Sequence, residues 1–275
     1  MLKRILLGLL FISVGLSLSA QSGMKIFLEE FDGKLTIIKS QGMVKELVIP
    51  GEINNKPITA IGEGAFTRRG LTLVTIPDSV TEIGVGAFSY NELTTLVIGN
   101  SVEIIGQKAF YNNKLKDLTL GTGVKTIGMS AFANNDLVKI AIPDSVNSIE
   151  PYAFFFNKII EITVPNDVVA IGEGAFSTNR IHTVVIGGSV EEIGDGAFYN
   201  NRLTNVSIPA SVNALGKRVF ESRITKGGSV PPVDYLDENE EILFTTANNF
   251  DTYFLSTGKR PGKYTYSKNG WIYQE

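Results

Sequence analysis

His182 is the only histidine in this 275-residue chain, so imidazole chemistry has a single candidate. A Ser-His-Asp arrangement would need it beside a hydroxyl and a carboxylate. At multiples of 22 residues from His182 the chain carries Thr94, Lys116, Val138, Ile160 and Thr204. A position that accepts valine or lysine elsewhere reads as a solvated side chain, not as a general base. The carboxylates also recur at repeating surface positions, with no exceptional pair of the kind that glycoside hydrolysis uses. Gly62 with Gly64, and Gly172 with Gly174, match a phosphate loop only in their G-x-G spacing. They lead into Ala-Phe rather than into the helix that a phosphate site requires. The chain has no cysteine, which excludes disulfides, zinc-thiolate sites and thiol nucleophiles. One histidine likewise excludes a His-rich metal site. The basic turn Lys259, Arg260 and Lys263 offers contacts for anionic glycans, but it reads better as a solvated hairpin tip. A net charge of −3 lacks the basic stripe of a nucleic-acid binder. The expectation is a protein without catalysis and without a cofactor.

What these residues share is their period. Phe66, Phe88, Phe110, Phe132, Phe154, Phe176, Phe198 and Phe220 follow one another at intervals of 22, and seven of the eight are preceded by alanine. A fixed period of this length marks a solenoid, whose repeats bury their apolar side only against their neighbours. Within a repeat, alternating apolar residues such as Leu96 and Ile98, or Ile140 and Ile142, predict a strand. Pro77, Gly99, Gly121, Pro143, Pro165, Gly187 and Pro209 stop it. The following S-V-x-x-I-G supplies a second short extended segment, with Val80 and Ile83 or Val190 and Ile193 pointing inward from the opposite wall. The glycine after it (Gly62, Gly84, Gly106, Gly128, Gly172, Gly194, Gly216) is expected in a backbone conformation closed to residues with a Cβ. Asn91, Asn113, Asn135, Asn157, Asn179 and Asn201 stand three residues after a phenylalanine. A buried amide there can bond neighbouring loop backbones, or the next asparagine along the axis.

The chain opens with Lys3 and Arg4, then an apolar run from Ile5 to Leu18 and small residues around Ala20 and Ser22. That is the layout of a secretory signal peptide over residues 1–22; an uncut membrane anchor is the alternative. Its removal would leave 23 basic against 28 acidic side chains, a charge near −5. Residues 23–48 read as an N-terminal cap hairpin turning at Asp32-Gly33, 49–226 as eight repeats, 227–241 as a linker, and 242–275 as an aromatic β module. In the module Tyr264, Tyr266, Trp271 and Tyr273 alternate about Asn269-Gly270, which favours a type I′ turn. It is expected to cap the last repeat, with aromatic platforms for a glycan or the cell envelope as the second reading.

The string I-P-x-S-V-x-x-I-G-x-x-A-F at this period resembles the BspA-like, or treponemal, class of bacterial leucine-rich repeats, over about Leu47 to Arg223. The first repeat departs by an insertion of five residues between Pro50 and Phe66. The C-terminal G-K-x-x-G-x-Y-T is more loosely similar to the endings of spirochaetal exported repeat proteins. The resemblance implies a right-handed coil with a parallel sheet on its concave face. It also implies a secreted or cell-surface protein, several relatives being adhesins for extracellular-matrix proteins or other bacteria. On that face one outward row holds Leu73, Thr95, Asp117, Lys139, Glu161, Thr183 and Asn205. The next holds Thr75, Val97, Thr119, Ala141, Thr163, Val185 and Ser207. These fourteen side chains are the expected contact surface, a smooth track without a deep pocket. Asp117, Lys139 and Glu161 either recognise a partner or neutralise one another across neighbouring strands. The expected protein is an exported monomer that binds a protein partner as an adhesin; a periplasmic or envelope scaffold is the alternative. Neither nucleic acid nor a membrane span after cleavage is expected.

Overall fold

The computed structural model describes residues 23–221 together with the strand segments 16–17, 224–225, 242–243, 262–267 and 270–274. The chain forms a β-solenoid of about eight turns with parallel strands and, among the described residues, no helix. Most turns place a three- or four-residue strand on one wall and a two-residue strand on the other. In Leu73–Ile76 the pattern alternates half-buried and buried, so the even-numbered Val74 and Ile76 enter the core. On the opposite wall Ile83, Ile105, Ile127, Ile149, Ile171, Ile193 and Leu215 pair in strict parallel register.

Between the walls runs the phenylalanine stack. Consecutive rings from Phe66 to Phe220 lie 5.0–5.4 Å apart and within 7° of parallel, and each is essentially unexposed. Burial of one such ring is worth about 1.5–3 kcal/mol. The alanine before it is buried too, as is Val219 in the last turn.

The six asparagines take the first of the two arrangements open to them. Asn91 Nδ2 donates to the carbonyls of Phe66 and Phe88 at 2.8 and 2.9 Å, and its Oδ1 accepts from the nitrogens of Arg69 and Leu71. The others repeat this pattern onto the preceding turn, and no amide bonds another amide among the described residues.

The glycine expectation needs correction. Left-handed positions lie two residues before each phenylalanine and, as far as Phe198, two after it, as at Gly64 and Arg68, whereas Gly194 and its counterparts do not have positive φ. Their requirement is close approach instead: a Cβ on Gly194 would come within 2.6 Å of the Glu173 nitrogen.

The ends are closed on opposite walls. Lys25–Phe31 and Lys34–Gln41 form the expected hairpin, with Asp32 and Gly33 at φ 51 and 71° as a type I′ turn demands. Lys34–Gln41 then pairs with Lys56–Ile61 and so extends the short-strand wall. At the other end Gly262–Ser267 joins Asn205–Ile208 antiparallel and extends the long-strand wall, with Gly270–Gln274 outside it. The register pairs Ser267 with Gly270, which makes Gly270 the first residue of its strand and not part of the turn. Tyr264 is fully buried in the core, so it caps and cannot serve as an exposed platform. Within 1–22 only Leu16–Ser17 is described, paired antiparallel with Lys25 and Ile26. The rest of that segment, residues 227–241, and Lys259 with Arg260 lie outside the described residues.

Candidate interaction face

Twelve of the fourteen expected residues lie on long strands, whose alternation turns them away from the core. None is buried, and Val97 and Val185 are each 40% exposed. Register brings most of them into rows: Leu73, Thr95 and Asp117 are direct neighbours, as are Thr75, Val97 and Thr119. Glu161, Thr183 and Asn205 form a second set, with Thr163, Val185 and Ser207 beside it.

Lys139 and Ala141 do not join either set. The long-strand wall consists of two sheets, and residues 138–142 between them lie in no strand. Before the break, the nitrogens of Thr94 and Lys116 each donate to the preceding turn at 2.9 Å; beyond it Ile160 and His182 do the same at 3.2 and 2.8 Å. The corresponding bond from Val138 to Lys116 is missing among the described residues. The turn before the break carries Gly121 and Gly123, where a Cβ would lie 2.1 and 2.2 Å from carbonyl oxygens of the preceding turn. That turn is packed hard against its N-terminal neighbour, and the ladder opens on its other side. Leu118 and Ile140 are consequently only partly buried, while Leu96 and Ile162 are covered.

The opening is a cleft of about 360 Å³ lined by Lys116, Asp117, Asp136, Val138, Lys139 and Lys158. Asp136 pairs with Lys158 at 3.0 Å. No ion pair joins Asp117, Lys139 and Glu161 among the described residues. The smooth track is therefore interrupted by a charged cleft. Its sequence signal was the G-T-G of Gly121 to Gly123, where neighbouring repeats carry a serine at the third position.

A second depression of about 650 Å³ lies on the short-strand wall, where Gly172, Gly194 and Gly216 leave room beside Glu173, Glu192 and Asp195. No cluster of three metal-ligating side chains occurs among the described residues. His182 is exposed on the turn before Thr183–Val185, and its imidazole makes no hydrogen bond or ion pair among the described residues. The G-x-G pairs run into turns. No helix of the described residues is long and apolar enough to cross a membrane.

Comparison with known proteins bears on the whole coil. A leucine-rich cell surface protein from Faecalibacterium prausnitzii A2-165 superposes with a TM-score of 0.51 at 27% identity, over 91% of this chain. The match spans 59% of that longer protein. The leucine-rich-repeat protein of T. pallidum superposes with a TM-score of 0.51 over 72% of this chain and 85% of its own, at 17% identity, a likeness of fold alone. No curated protein matches the chain. The model of the BspA-type leucine-rich-repeat region matches in six copies over residues 43–155 and 103–226. Since these cover well over half of its length, the chain belongs to the BspA-type leucine-rich-repeat family.

Proposed function

We propose that this is an exported leucine-rich-repeat protein that attaches to a protein partner, as an adhesin, through its long-strand face. One observation carries the reading: the face presents two sets of registered, unburied side chains around a cleft that holds Lys116, Asp117 and Lys139. Uncovered charges of both signs at the centre of an extended face suit electrostatic recognition of a protein. The family, whose repeats serve protein–protein interaction, supports the coarse function, and the cell-surface description of the F. prausnitzii protein supports the location.

The test has two parts. Protease and antibody accessibility on intact cells, with a periplasmic control, should find the protein exposed; protection would turn the reading to an envelope scaffold. Matrix and bacterial-surface proteins are then screened, and the double charge reversal K139E/E161K should weaken capture at least about tenfold while the melting temperature holds. Capture that survives this change but disappears on deleting residues 242–275 would refute the long-strand face.

A further inference from the structure

The corners of the coil carry a second surface. Left-handed backbone falls two residues before each phenylalanine (Gly64, Gly86, Lys108, Ser130, Tyr152, Gly174, Gly196, Arg218) and two after it (Arg68, Tyr90, Asn112, Asn134, Phe156, Thr178, Asn200). Glycine and asparagine suit this conformation; a bulky side chain costs roughly 1–2 kcal/mol there. Every occupant other than Gly, Asn, Ser or Thr is either an aromatic ring or a cation lying on one. Arg68 sits 4.8 Å over Tyr90, Lys108 5.8 Å over Tyr111, and Arg218 4.6 Å over Tyr199; the rings are Tyr90, Tyr152 and Phe156. The fold does not need bulk at these corners, because other turns make the same corner with glycine or asparagine. Bulky residues in strained backbone, with Tyr90 and Phe156 partly exposed, point to use at the surface.

The rings form a ridge. Tyr90 meets Tyr111 edge-on at 5.5 Å, and Tyr152 meets Phe155 at 5.9 Å, with Phe156 beside it. Tyr90 and Phe156 are 44% and 39% exposed. Three turns separate these two, about 15 Å at a strand spacing near 4.8 Å. Amides interleave the rings: Asn112 and Asn134 occupy the same row, and Asn134 bonds the Tyr111 hydroxyl at 3.0 Å. A sugar has apolar C–H faces for ring stacking and hydroxyl edges for amides. Charge narrows the class. Two acidic groups of these turns are engaged, Glu92 by Lys114 and Glu173 by the Tyr152 hydroxyl. Arg68 and Lys108 face rings and have no carboxylate partner among the described residues.

We propose that the corner ridge from Arg68 to Phe156 binds a carboxylate-bearing polysaccharide. The sugar faces lie on Tyr90, Tyr111 and Phe156, hydroxyls reach Asn112 and Asn134, and the carboxylates pair with Arg68 and Lys108. This surface is separate from the long-strand face and does not depend on its role.

The experiment is affinity electrophoresis of the whole chain in gels containing hyaluronan or alginate, with dextran as the neutral control, alongside thermal melts. The uronate polymers should retard the protein, dextran should not, and salt should weaken the effect. R68N/K108N, and separately Y90N/F156N, should reduce retardation at least about tenfold with no loss of melting temperature, since Asn suits the left-handed corner. K139E/E161K should leave it unchanged. Equal retardation by dextran, no retardation by either uronate, a lower melting temperature for Y90N/F156N, or loss of protein capture instead of glycan binding would each overturn the proposal.

Discussion

Asn135 Nδ2 donates to the carbonyl of Phe110, a residue 25 positions upstream and one turn away, at 3.0 Å. The same amide donates to Phe132 at 3.1 Å and accepts from the Leu115 nitrogen at 3.0 Å. One buried side chain thus ties three backbone groups in two turns; its loss orphans the buried Leu115 nitrogen and leaves the Phe110 and Phe132 carbonyls only their bonds from Asn113 and Asn157. Replacing Asn135 by alanine should destabilise the coil by about 2–3 kcal/mol, read as a lower denaturation midpoint. Alanine at Asn112, which is exposed at a left-handed corner, should cost about 1–2 kcal/mol.

The phenylalanine stack should be less forgiving than any surface row. Phe132 is unexposed between Phe110 and Phe154, at 5.3 and 5.4 Å. Phe132→Ala should cost about 3–5 kcal/mol, because neighbouring turns cannot close a ring-sized void. Since stability in a repeat array is a sum over neighbours, equilibrium unfolding should lose its single transition when a central turn is weakened.

Two glycines separate close approach from backbone freedom. At Gly194 a Cβ would lie 2.6 Å from backbone, while at Gly188 the nearest heavy atom is 3.7 Å away. Gly194→Ala should destabilise by about 1–3 kcal/mol, and Gly188→Ala should be close to neutral in the same melt.

Tyr152 supplies a pH readout. Its hydrogen bond to Glu173, then burial and the Glu173 charge, push its phenol from the usual 10.0 up to about 12. A folded-state value above the unfolded one means that this contact's contribution is whole below pH 10 and is lost as pH rises through about 12. Ultraviolet titration should find a tyrosine ionising near pH 12, and Glu173→Gln should return it towards the ordinary value. An unchanged titration in Glu173→Gln would refute the assigned cause.

Much of this architecture was legible because position modulo 22 decides which wall a residue occupies. The phenylalanine stack, the inward valines and isoleucines and the fourteen outward side chains all follow from that count, as does the Asp32-Gly33 hairpin from its local turn chemistry. The charged cleft was not legible, because the gap between turns 116–119 and 138–142 is a break in a ladder that exists only between stacked turns. Nor did local pattern reveal why Gly194 must be glycine, or which carbonyl each asparagine selects. The two caps closing opposite walls, and the corner rings aligning into a ridge, belong to the same class. Period and patterning are properties of a single repeat and can be read along the chain. Packing distance, ladder continuity and the meeting of side chains from separate turns arise only when the repeats are stacked, so the tertiary structure decided them.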